Sequence, residues 1–141
     1  MSARNKAMDL LARREHSAAE LRQKLKLREF DSDAIELALE SLQRDNLQSD
    51  SRFTESYINH RSNAGLGPIK IVLELRQRGV DETLAHQHMS ALSINWNDRL
   101  EQQRIKKYGE QIPPDYAQKM KQARFLQNRG FSPESVMRLF R

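Results

Sequence analysis

Apolar residues return every three or four positions through most of the chain. Ala18, Leu21 and Leu25 form one stripe; Ile35, Ala38, Leu39 and Leu42 form a second; Leu84, Ala85, Met89 and Leu92 form a third. This spacing follows the 3.6-residue turn of a helix and not the alternation of a strand, so each run predicts a helix with one buried face. Leading helices are expected around Ala7, Met8 and Leu11, around Phe53, Tyr57 and Ile58, and around Trp96, Leu100 and Tyr108. The breaks between runs carry helix-ending and helix-starting residues. Ser17 followed by Glu20 predicts a capping box, in which the serine oxygen accepts an exposed amide and the glutamate reaches back. Gly67-Pro68 does the equivalent work further on, with proline at a first helical position where its missing N–H costs nothing. Asp33 with Glu36, and Ser132-Pro133-Glu134, predict two more starts. Gly79 and Gly130 stand where helices must end, and Pro113-Pro114-Asp115 stops one helix before the next. The pattern amounts to about nine helices of roughly 10–15 residues each.

Those helices fall into a recurring frame. Residues 17–42 lie over residues 67–92 at an offset of 50, pairing Leu21 with Ile71, Leu25 with Leu75, Phe30 with Val80, Asp31 with Asp81, Leu39 with Met89 and Leu42 with Leu92. Residues 124–140 fit the same frame at an offset of 101, where Leu126 meets Leu25, Phe131 meets Phe30, Ser132 meets Asp31 and Val136 meets Ile35. The expected fold is therefore all-α: three tandem three-helix repeats, over 1–48, 49–94 and 95–141, in a thin or extended helical body. A unit this small buries too little surface to stand alone, so neighbours must pack.

Composition supports that class. The 141 residues include only five glycines and four prolines, 38% are apolar and 30% charged, and the mean hydropathy is −0.82. With no cysteine, disulfides and thiolate metal sites are excluded, which fits a reducing compartment. No long apolar run predicts a membrane span, and the expectation is a soluble, cytoplasmic monomer. The net charge of +5 is unevenly spread. Residues 1–28 hold eight Lys or Arg against three Asp or Glu, residues 29–50 hold one against seven, and residues 99–141 hold ten against four. An anionic partner should be drawn to both basic ends.

Candidate chemistry is sparse. His16-Ser17 suggests a nucleophile beside a base, but the serine sits where a helix needs its cap, and nothing else supports hydrolysis. His86 and His88 at i,i+2 point about 200° apart on a helix and cannot share a metal there; His88 takes the frame position of Ala38 and reads as a packed histidine. Gly65-Leu66-Gly67 lacks the lysine and hydroxyl of a phosphate loop. Glu36 and Glu40 read as a solvated face. Lys24 with Glu20, and Lys70 with Glu74, have the spacing of surface ion pairs. The surplus of Arg22, Lys26, Arg28, Arg104, Lys106, Lys107, Lys119, Lys121, Arg124 and Arg129 is what binding to phosphates or to an acidic protein surface requires.

Several of these passages together resemble the RecX family of regulatory proteins. The likeness runs through RREHSAAELRQKL with its Glu20-Leu21 and Lys24-Leu25 pairs, and through Leu47, Asp50 and Phe53. It continues in the turn at Arg61, Gly65 and Gly67, in Leu75 and Gly79, and in the ending KQARFLQNRGFSPESVMRLF. The resemblance implies three tandem three-helix repeats forming an elongated, curved body, without a catalytic site or cofactor. It also implies a protein that lies in the groove of the RecA recombinase filament on DNA, limiting its growth, strand exchange, ATP hydrolysis and co-protease activity. One departure is Glu29, which stands where the family usually has glycine, so that turn is expected to differ.

On this reading the residues expected to contact RecA, or single- or double-stranded DNA through its phosphates, are Arg22, Lys24, Lys26 and Arg28 in the first repeat. Lys119, Lys121, Arg124 and Arg129 serve in the third, with Arg76 and Arg78 as weaker candidates. The rival reading is a direct DNA-binding regulator of helix-turn-helix type. Against it, the third helix of the first repeat is acidic, which a phosphate-facing element avoids.

Overall fold

The computed structural model describes residues 1–141 and contains nine helices and no strand. They are α1 (Ala3–Arg13), α2 (Ala18–Leu27), α3 (Ser32–Arg44), α4 (Asp50–Asn63), α5 (Pro68–Gln77), α6 (Glu82–Ala91), α7 (Trp96–Tyr108), α8 (Tyr116–Asn128) and α9 (Pro133–Leu139). The chain is all-α, with three helices per repeat as the apolar periodicity predicts.

The repeated frame is physical. Leu25, Leu75 and Leu126 occupy equivalent places on the second helices, and each is fully buried. Ile35, Ala85 and Val136, equivalent on the third helices, are buried too. In the first repeat Leu21, Leu25, Leu39 and Leu42 meet Ala3, Ala7 and Leu10 of α1. The register of α1 thus differs from expectation: Leu10 faces the core, Leu11 is only partly buried, and Met8 is exposed. An i, i+4, i+7 stripe through Ala3, Ala7 and Leu10 keeps one straight face inward. In the third repeat Leu100, Ala123, Leu126, Phe131, Val136 and Phe140 make the core.

Contacts gather the chain into two compact units, residues 1–57 with 75–88 and residues 58–74 with 89–141. The helices of the middle repeat are thereby divided between them.

The start of α3 corrects one expectation. Its cap is Asp31, whose side chain accepts from the Ala34 N–H at 2.8 Å, and Asp33 lies inside the first turn. The equivalent Asp81 and Ser132 cap α6 and α9 through the N–H groups of Thr83 and Ser135.

The turn at Glu29 also corrects an expectation, because it does not differ from its counterparts. Glu29 adopts φ +67, beside +79 at Gly79 and +102 at Gly130. In all three, the next residue's N–H reaches the carbonyl of the core leucine: Phe30 to Leu25, Val80 to Leu75 and Phe131 to Leu126. A left-handed residue ends each second helix this way, and at Glu29 the turn tolerates a side chain where glycine is the usual occupant.

Candidate docking surface

The turn between α1 and α2 is where the first unit is tied together. Ser17 is the N-cap of α2 in a complete capping box with Glu20. Its hydroxyl accepts the Glu20 N–H at 3.0 Å and donates to the Arg78 carbonyl at 2.7 Å. The His16 ring faces elsewhere. Its Nδ1 is 3.0 Å from the Arg14 carbonyl, which only accepts, so Nδ1 carries the proton and Nε2 accepts from the Lys24 ammonium at 3.1 Å. Histidine and serine are therefore engaged separately, and His16 is not placed to take the Ser17 proton. Burial pushes the His16 imidazole below the ordinary histidine range, and the Arg14 and Lys24 charges push the same way. Burial alone would raise Glu20, but hydrogen bonds from Arg14 and from the Ser17 N–H bring it below the usual carboxylate range.

Residues from the start of α4 close this turn from another side. The Asp50 carboxylate accepts the Ala18 N–H at 2.8 Å and the Gln48 amide at 3.0 Å. Gln48 also donates to the His16 carbonyl at 3.2 Å. The sequence carried no signal for Gln48: it is an isolated polar residue that becomes buried only because α4 folds back onto the turn.

Successive second helices meet in a recurrent way. In the first unit the Ser17 hydroxyl meets the Arg78 carbonyl, and a side chain at Gly79 would strike Ala19. In the second unit the Gly67 N–H meets the Arg129 carbonyl at 2.8 Å, the Ile69 N–H meets Gly130 at 3.0 Å, and Gly67 and Gly130 approach backbone to backbone. The start of one second helix thus takes carbonyls from the end of the next. Here glycine answers to close approach as well as to turn conformation.

The basic residues sort into tied and untied ones. Arg22 is bonded to Glu36, its Nε 2.9 Å from a carboxylate oxygen, a bond that raises its pKa. Lys24 lies against His16, and burial lowers its pKa. Arg28 is exposed and donates to the Lys24 carbonyl at 3.0 Å, while Lys26 is exposed. Arg76 lies 3.7 Å from Glu82. Arg78 lies 3.7 Å from Glu20 and stacks over the Tyr57 ring. In the third repeat Lys119 is half-buried, Lys121 and Arg124 are exposed, and Arg129 and Lys107 lie over the Phe125 ring.

Five sequence expectations are corrected here. Arg22 has an acidic partner across the α2–α3 turn. Glu20 pairs with Arg14 and not Lys24, and Glu74 pairs with Arg61 and not Lys70. His88 is half-buried with its Nε2 2.6 Å from the Ser51 hydroxyl, a polar contact and not core packing. Arg104 is buried, donating to the carbonyls of Gly109, Glu110 and Gln111. The loop after α7 leaves those carbonyls without helical partners, and a guanidinium satisfies several at once. Spacing along one helix showed none of these ties, because every competing partner comes from another element.

An open groove of about 550 Å³ lies between α2 and α3, lined by Ala19, Arg22, Gln23 and Lys26 on one side and Ile35 and Glu36 on the other. No helix in the structure is long and apolar enough to cross a membrane.

Comparison with known proteins identifies the family. Its three models match in order: the first three-helix domain of RecX over residues 3–42, the second over 49–89 and the third over 97–140. The chain is 43% identical over 139 residues to the regulatory protein RecX of Pseudomonas putida (strain W619), covering 99% of this chain and 89% of that one. It is 44% identical over 139 residues to the RecX of Pseudomonas entomophila (strain L48), covering 99% of this chain and 90% of that one. Two solved structures share the fold. A crystal structure of regulatory protein RecX superposes with a TM-score of 0.83 at 23% identity, over 98% of this chain and 70% of that one. RecX from Lactobacillus salivarius superposes at 0.80 with 21% identity, over 98% and 94%. With its helices, its three-part frame and its relatives in agreement, this chain belongs to the RecX family of regulatory proteins.

Proposed function

We propose that this chain is a non-catalytic cytoplasmic regulator that binds the RecA filament on DNA as a monomer. It limits filament growth, and with it strand exchange, ATP hydrolysis and co-protease activity. The observation that carries the reading is the ordered match of all three family domains across nearly the whole chain. The surface supports it. A chain that repeats one three-helix unit three times suits a partner that is itself a polymer of one subunit. Exposed cations such as Lys26, Lys121 and Arg124 speed encounter with an anionic filament and make it salt-sensitive. Bound across neighbouring subunits, the chain inhibits by occupancy: it holds them in one geometry and obstructs the incoming strand, with no bond made or broken. The test is RecA-dependent strand exchange titrated with purified chain. Exchange should fall progressively as the chain is added, and full exchange at saturating chain would overturn the reading.

A further inference from the structure

His16 is the base of no serine, because the Ser17 hydroxyl is engaged with Glu20 and Arg78. It has another neighbour that can act as a nucleophile. His16 is only 2% exposed. Its Nδ1 proton is held by the Arg14 carbonyl at 3.0 Å, and its Nε2 lone pair meets the Lys24 ammonium at 3.1 Å. An orienting acceptor, an imidazole and an amine thus stand in the order that activates a nucleophile. Lys24 is set apart by its surroundings as well. Burial favours its neutral amine, and the charges of Arg14, Arg28 and Arg13 act the same way. Glu20 opposes them, but its carboxylate is already bonded to Arg14 and to the Ser17 N–H. Lys26, two residues on, is exposed and points about 200° away around the helix.

We propose that Lys24 is a site of acylation, its amine deprotonated by His16 and acylated by a small acyl phosphate. Arg13 and Arg28 are exposed beside it, and their guanidinium groups suit the phosphate of such a reagent. Lys24 is half-buried, which leaves room for a small reagent and not for a bulky one. The step balances. One ammonium proton passes to His16 Nε2, and from there to water. The free amine attacks the acyl carbon and forms the new C–N bond. The bond from that carbon to the bridging oxygen breaks, and phosphate leaves with the electron pair and a second proton from nitrogen. The resulting amide N–H can still donate to His16, so the turn keeps its bond while the first repeat loses one positive charge. The modification does not depend on which partner the chain binds.

The test incubates the full-length chain with acetyl phosphate and follows each lysine by peptide mass spectrometry at early times. In the folded chain Lys24 should react about tenfold faster than the more exposed Lys26. In urea, where the His16 contact is gone, the two should react alike. In His16→Gln, with folding checked by a thermal melt, Lys24 should fall to the rate of Lys26 or below while Lys26 is unchanged. A folded-state rate at Lys24 no greater than at Lys26 would overturn the proposal and leave the His16 contact as packing alone. An excess that persists in urea or in folded His16→Gln would overturn it too, since the imidazole would not be the base. If His16→Gln fails to fold, the folded and urea-treated unmodified chains decide the matter between them.

Discussion

Helices α2 and α8 hold the same place in their repeats, end in the same kind of turn and carry similar numbers of cations. Their surroundings make them different objects. On α2, Arg22 is held by Glu36, Lys24 by the buried His16, and Arg28 by a backbone carbonyl. On α8, which contains no acidic residue, Lys121 and Arg124 are exposed. The turns differ as well. Gly130, after α8, lies against Lys70 of the preceding repeat's second helix, whereas the equivalent Glu29, after α2, is exposed and carries a side chain at the same left-handed turn. Charge count and frame position describe both ends alike; which neighbour is present decides what each end is free to do.

The sharpest way to break the comparison is to exchange the turn residues. Gly130→Glu places a side chain at positive φ against the Lys70 backbone, and should destabilise the chain by about 3–5 kcal/mol in chemical denaturation. Equal tolerance at 29 and 130 would show that the close approach costs nothing. Ser17→Ala removes the α2 cap and leaves the Arg78 carbonyl without its donor. A loss of about 1–3 kcal/mol is expected, read as a lower melting temperature. Glu29→Gly relieves a left-handed glutamate and should raise stability by up to about 1 kcal/mol. A decrease would mean that the Glu29 side chain makes a contribution of its own.

The charge contrast is tested by binding. Reversing Lys121 and Arg124 together should cost more affinity for the RecA filament, and flatten its salt dependence more, than reversing Arg22, whose charge is already compensated by Glu36. Titration of binding against salt measures both, and the opposite ranking would make the α2 set the principal contact.

The smallest effect expected is one of pH. Burial holds the folded-state pKa of His16 below its value in the unfolded chain, about 6.5, so the neutral ring is favoured by folding. The stability this contributes is fully present above about pH 6.5 and is lost as pH falls through the lower, folded-state value. His16→Gln should therefore lessen the fall in denaturation midpoint between neutral and mildly acid pH. An identical fall in both proteins would place the acid sensitivity elsewhere.

Much of this is legible in the amino-acid sequence. Helical periodicity, the Ser17 capping box, Pro68 and Pro133 at helix starts, and the frame joining Leu25, Leu75 and Leu126 all depend on residues close together along the chain or on repetition of a local pattern. Local spacing determines such features because a helix is closed by bonds four residues apart. Other features lay outside its reach: Arg22 bonded to Glu36, Arg104 buried against three carbonyls, Gln48 and Asp50 closed over the His16 turn, and Gly67 pressed on Gly130. All but the Arg104 contacts, which reach the loop directly after α7, bring together elements separated by a turn or by a whole repeat, and among many possible partners for one charge or one donor, only packing selects which is near enough to win. The amino-acid order thus determined the helices, their caps and their threefold recurrence. The tertiary structure decided which cations are spent on the fold and which remain for a partner, because desolvation and hydrogen bonding act on the neighbours that folding supplies.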